Sequence, residues 1–151
     1  MELKTKDAPA MTLLTASKTI KDAGSEIPPF AGEVLPKIVA KAKEMGLRTT
    51  EPEMFIYTFQ QGGTMNLVLG VPVREAKGES GEFKFIATQP VRCVSTSYKG
   101  SMLGIKQAWD AFIEATNRQK LEFAAENREV YLKWVDFDSA ENETELQRVL
   151  K

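Results

Sequence analysis

The chain repeats itself. Glu2-Leu3-Lys4-Thr5 aligns with Glu82-Phe83-Lys84-Phe85, Pro9-Ala10 with Pro90-Val91, and Ser17-Lys18 with Tyr98-Lys99. Toward the end of each half stands an aromatic strand pattern, Phe55-Ile56-Tyr57 in the first and Glu129-Val130-Tyr131 in the second. The offset drifts from about 80 residues to about 74, as one longer loop in the first half would produce. Each half must therefore supply the same elements in the same order. Neither half alone buries enough surface to be stable, so the two must share a core. One position breaks the symmetry: where the first half has Phe55, the second has Glu129. An acid in the aromatic lining of a two-fold-like cleft is a candidate for gripping a cation or activating a water.

The elements follow from periodicity and punctuation. Residues 2–6 and 10–18 read as strands around the turn at Ala8-Pro9. Residues 19–30, with Gly24, Ser25, Pro28 and Pro29, carry loop chemistry. Residues 31–46 predict an amphipathic helix, because Leu35, Ile38, Ala42 and Met45 recur at spacings of three and four. Pro36 belongs in its first turn and Gly46 just past its end. A strand at 53–60, a Gly62-Gly63 turn and a strand at 64–73 ending near Pro72 complete the half. The polar segment 74–81 links repeats 1–73 and 82–151 within one domain. The second half restarts with strands at 82–88 and 90–98. A helix follows at 102–118, with Leu103 or Ile105, Ala108, Trp109, Phe112 and Thr116 on its apolar face. Then come a strand at 128–135, an acidic loop at 136–143 and a final segment, 144–150, that suits helix or strand by itself. Its counterpart, 64–73, decides for strand. The fold class is α+β: two strand-helix-strand-strand modules pairing into one antiparallel sheet, with both helices on one face and a cleft between the modules.

Composition narrows the chemistry. Among 151 residues there is no histidine and a single cysteine. That excludes an internal disulfide, a histidine-based triad and a histidine-ligated zinc. Cys93, in the run Val91-Arg92-Cys93-Val94, reads as a small buried apolar residue. The formal net charge of −1 leaves no electrostatic footprint for nucleic acid. Lys37, Lys41 and Lys43 read as a solvated helix face. No apolar run approaches the ~20 residues of a membrane span, and no cationic-then-apolar leader is evident. The expectation is a soluble cytoplasmic monomer with no metal, no cofactor, no membrane association and no direct nucleic-acid binding.

The repeat, the segment Tyr98-Lys99-Gly100-Ser101-Met102 leading to Ala108-Trp109, and the closing Glu129-Val130-Tyr131-Leu132 together resemble the GyrI-like small-molecule-binding domain, also called the AraC-type or bacterial transcription-activator effector-binding domain. The resemblance covers nearly the whole chain. It implies two pseudo-symmetric modules around a ligand cleft. Members of that family are drug-sensing domains fused to DNA-binding domains, or stand-alone proteins that include a gyrase modulator and hydrolases of cyclopropane-containing toxins. In the multidrug-sensing members a cleft glutamate faces cationic aromatic ligands. Glu129 matches that glutamate and Tyr131 the aromatic two residues on. The loop before the second helix often begins with histidine and ends with an aromatic; here Tyr98 and Met102 stand in those places. With no room for a helix-turn-helix, the resemblance implies a stand-alone member.

Strand alternation refines the candidate site. Glu129, Tyr131 and Lys133 share one face, matching Phe55, Tyr57 and Phe59, while Val130, Leu132 and Trp134 share the other as core. If the modules are two-fold related, the two matching faces approach across the cleft. The expected lining is Phe55, Tyr57, Glu129 and Tyr131, with Trp109 from the second helix and Tyr98 and Met102 at its entry. The ordinary alternative for Glu129 is a solvated residue paired with Arg128 or Lys133. Three functions stay open: binding of a hydrophobic or cationic aromatic molecule, together with a separate regulator; hydrolysis of a strained molecule with Glu129 as base and Tyr131 assisting; and modulation of a protein partner such as gyrase.

Overall fold

The computed structural model describes residues 1–49 and 52–151. Its elements are β1 (Lys4–Ala8), β2 (Thr12–Ile20), α1 (Ala23–Glu44), β3 (Met54–Phe59), β4 (Met65–Pro72), β5 (Lys84–Ala87), β6 (Val91–Lys99), α2 (Ile105–Asn117), β7 (Phe123–Lys133) and β8 (Glu143–Leu150). A short 3-10 turn at Met102–Gly104 precedes α2. All eight strands form one antiparallel sheet in the order β1-β6-β8-β7-β3-β4-β2-β5. The architecture is α+β, as the repeat implied.

The order of strands reveals an exchange that the repeat did not show. β1 belongs to the first half by sequence yet pairs with β6, and β5 of the second half pairs with β2. Each half thus lends its lead-in strand to the other. The exchange also bends the sheet. β1 stands first and β2 seventh in the order, a separation of roughly 29 Å if the sheet were flat. Residues 9–11 span at most about 15 Å, so the sheet must curl until its two ends approach. The crossover at 9–11 and its counterpart at 88–90 meet there: Met11 N donates to Thr88 Oγ1 at 2.8 Å, and Thr88 N to the Met11 carbonyl at 2.8 Å.

Both helices lie on the face of the sheet that carries Phe55 and Glu129. α1 buries Ile38 and Ala42 against Leu14, Leu67 and Leu69. α2 buries Phe112 against Val94 and Leu146. At the shared offset of 74, Ile38 corresponds to Phe112 and Ala42 to Thr116, and all four are fully buried. Arg148 of β8 fastens the end of α2, donating to Thr116 Oγ1 at 2.7 Å and Asn117 Oδ1 at 2.9 Å, at the negative end of the helix dipole.

The expected loop at 19–30 is a correction. α1 begins at Ala23 and runs through Pro28, Pro29 and Pro36. The Glu26 carboxylate accepts from the backbone N–H groups of Lys21 at 2.7 Å and Asp22 at 2.6 Å, which secures the first turn. Those two bonds hold its carboxyl below the usual range. Each interior proline costs about 3 kcal/mol in a helix. Packing of Ile27, Phe30, Val34 and Leu35 on the sheet outweighs that cost, so tertiary burial overrides local preference. Gly46 does follow α1 in the left-handed region at φ 71°, with its N–H on the Lys43 carbonyl. Gly62 and Gly63 take φ 87° and 81° in the β3–β4 hairpin, a conformation that favours glycine.

Candidate functional site

The strand register places the site on the pseudo-two-fold axis. β3 and β7 are neighbours at the centre of the sheet, and Phe55 stands directly opposite Glu129. The offset between the halves here is 129 − 55 = 74, so each of these residues is the other's symmetry mate. The axis passes between them. The row continues outward equivalently on both sides, through Leu69 and Ala16 from Phe55 and through Leu146 and Thr96 from Glu129. The expectation that the two aromatic faces oppose each other across a cleft is corrected: they lie side by side on one continuous sheet, because β3 and β7 pair directly.

Tyr57 and Tyr131 follow Phe55 and Glu129 by two residues on antiparallel strands, so they flank the axis from opposite ends. Both hydroxyls reach the same oxygen: Tyr57 donates to Glu129 Oε1 at 2.6 Å and Tyr131 to the same atom at 2.5 Å. Trp109, carried over the sheet by α2, donates its indole N–H to Oε2 at 2.6 Å. Glu129 is 3% exposed. Three neutral donors thus converge on a buried carboxylate, and among the described residues it has no ion-pair partner. Neither cation named in the solvated alternative is engaged by it: Arg128 pairs with Glu126 at 2.6 Å and Lys133 with Glu141 at 3.1 Å.

Burial, and then the Glu129 charge, push the Tyr57 and Tyr131 hydroxyls well above the ordinary phenol range. Both remain donors at any ordinary pH. Phe55 supplies the apolar wall, its ring edge-on to Tyr131 with centroids 4.7 Å apart. A buried carboxylate among aromatic rings can hold a cation through charge and ring quadrupole together.

Five of the seven expected residues, Phe55, Tyr57, Trp109, Glu129 and Tyr131, form this cluster. Met102 is half-buried and packs against the same core as Phe55 and Tyr131. Tyr98 is drawn elsewhere: its hydroxyl donates to the Ser101 carbonyl at 2.7 Å, bracing the turn before α2. Trp134 is a correction. It is 51% exposed, not core, and its ring stands edge-on to Tyr131 at 5.9 Å. The ladder register shifts between Tyr131 and Lys133, and β7 ends at Lys133, so strict alternation fails at Trp134. Leu103 is 74% exposed, leaving Ile105 on the buried side of the second helix. Cys93 is buried as expected, and burial raises its thiol.

No family profile and no curated protein sequence matches this chain. Solved structures do. SAV2435 bound to tetraphenylphosphonium superposes with a TM-score of 0.73 over 100% of this chain and 94% of that one, at 13% identity. The EcmrR C-terminal domain gives 0.76 over 99% and 97%, at 20% identity. The chain has the fold of the GyrI-like effector-binding domains. A hydrolase from Listeria innocua shares it at a TM-score of 0.61, over 99% of this chain and 92% of that one, with 12% identity. Among the described residues no helix is long and apolar enough to cross a membrane.

Proposed function

We propose that this chain binds a small aromatic cation at Glu129. One observation carries the reading: a carboxylate buried to 3% exposure that has hydrogen-bond donors but no counter-ion among the described residues. Burying an ion costs several kcal/mol, and neutral donors repay only part of that. A ligand that brings a positive charge to Glu129 supplies what the protein withholds. Tyr57, Tyr131 and Phe55 offer ring faces, and Trp109 is the one donor on a helix rather than on the sheet, so it is the group a ligand displaces. The SAV2435 complex with tetraphenylphosphonium supports the choice of ligand class. The EcmrR–DNA complex, 57% of whose EcmrR chain this one covers, supports a regulatory role alongside a separate DNA-binding partner. A cytoplasmic monomer that senses or sequesters such compounds fits this reading.

Calorimetric titration with tetraphenylphosphonium and with an uncharged analogue of the same shape tests it, on wild type and Glu129→Gln. The expected result is cation selectivity in the wild type that falls by about tenfold or more in the variant. Unchanged selectivity would refute the role of Glu129. Mass spectrometry of each mixture separates binding from hydrolysis. The hydrolase reading, with Glu129 as base and Tyr131 assisting, requires new masses that vanish in Glu129→Gln while binding persists. The present geometry favours binding, since both carboxylate oxygens already accept hydrogen bonds from side chains. Among the described residues a gyrase-modulating role has no geometric feature of its own.

A further inference from the structure

The curled sheet also encloses space on its second face. On the side away from the helices, a cavity of about 530 Å³ lies between the sheet centre and the crossover at 9–11. Its floor is apolar, with Met54 and Val130 side by side in the β3–β7 ladder and Met11 above them. Arg128 lies in its wall, 3% exposed. Because strand side chains alternate, Arg128 points to this face as Glu129 points to the other. We propose that this cavity is a second binding site, for a small apolar carboxylate.

The charges already engaged in the wall decide the sign of the ligand. Arg128 Nε donates to Glu126 at 2.6 Å, and its two terminal nitrogens have no hydrogen-bond partner among the described residues. The two acids of the wall are occupied. Glu145 accepts from Lys6 at 2.8 Å and also from Gln147, while Asp7 pairs with Arg92 at 3.2 Å. Arg74, also in the wall, has no ion pair among the described residues. What the wall leaves over is a planar guanidinium edge, one further cation and a single neutral acceptor, the buried Gln147 Oε1, which has no partner among the described residues. A guanidinium fork matches a carboxylate with two parallel hydrogen bonds. The apolar floor suits a hydrocarbon body, and the volume lies in the range of small-molecule sites. The strand β7 then carries binding groups of opposite sign on its two faces, at consecutive residues.

Naphthoate tests this, with neutral naphthamide of the same shape as control, by amide-resolved NMR. The expected result is saturable shifts at Met11, Met54 and Val130 that persist when tetraphenylphosphonium is present in excess. Naphthamide should bind about tenfold more weakly or worse, the loss expected for a charge-assisted pair. Arg128→Gln should abolish the preference for the acid. Because that change strands Glu126, a second pair of variants decides if it misfolds. Leu132 lines the rim and is 47% exposed, so substitutions there are tolerated. Leu132→Glu should weaken naphthoate several-fold and Leu132→Arg strengthen it. Equal binding of acid and amide, shifts confined to the Glu129 face, no saturable shift, or indifference to the charge at position 132 would each overturn the proposal.

Discussion

Replacing Glu129 in two ways isolates what the three converging donors are worth to stability. Glu129→Gln and Glu129→Ala both remove the buried charge, so its desolvation cost cancels when the two variants are compared. In Glu129→Gln the amide oxygen can keep Tyr57 and Tyr131, whose bonds in the wild type measure 2.6 and 2.5 Å to one oxygen. The amide nitrogen then faces the Trp109 indole N–H, donor against donor, and that bond is lost. In Glu129→Ala all three donors lose their acceptor. Two buried tyrosine hydroxyls left unsatisfied cost about 1–3 kcal/mol each, and the void adds about 1–2 kcal/mol. Glu129→Gln should therefore be more stable than Glu129→Ala by about 3 kcal/mol or more. Against wild type, Glu129→Gln should stay within about 2 kcal/mol, because losing the charge offsets weaker hydrogen bonds. Urea unfolding followed by circular dichroism measures both differences. Tryptophan fluorescence of the folded Gln variant should also change, as the indole loses its acceptor. Equal stability of the two variants, within about 1 kcal/mol, would refute the claim that the tyrosines depend on this acceptor.

Two further outcomes follow from the geometry. Tyr57 and Tyr131 have hydroxyls raised above the phenol range by burial and by Glu129, so the unfolded chain releases these protons first. Their contribution is fully present below about pH 10 and is lost as pH rises beyond it, with a slope of up to about 2.7 kcal/mol per pH unit for the pair; stability that stays flat through alkaline pH would contradict this. A Cβ at Gly104 would collide with the Tyr98 hydroxyl. Gly104→Ala should cost about 1–3 kcal/mol by displacing the ring that braces the turn before α2, and Tyr98→Phe in the same background should recover part of it; thermal unfolding of these two variants against wild type is the check.

Much of this protein was legible in its sequence, for reasons that are local or periodic. The alternation in Phe55-Ile56-Tyr57 and Glu129-Val130-Tyr131 placed the right side chains on one face, because a strand has a period of two whatever surrounds it. The offset of the repeat identified Phe55 and Glu129 as mates before any contact was known. What alternation and propensity left open was decided by partners distant in the chain. Pro28 and Pro29 read as loop residues, yet Ile27, Phe30 and Val34 bury against the sheet strongly enough to keep them helical. Trp134 left its expected face because a register shift interrupts the alternation.

The strand exchange was invisible for a deeper reason. β1 and β5 carry the same pattern whether each pairs within its own half or with the other, and nothing local distinguishes the two. Only the closed tertiary arrangement selects β1 against β6 and β5 against β2, and with it the curl that makes the second cavity. The same holds at the site. The sequence determined that an acid replaces an aromatic at the symmetric position. The tertiary structure alone decided that this position lies on the axis. There, one carboxylate can be reached by both symmetry-related tyrosines and by a tryptophan from the helix above.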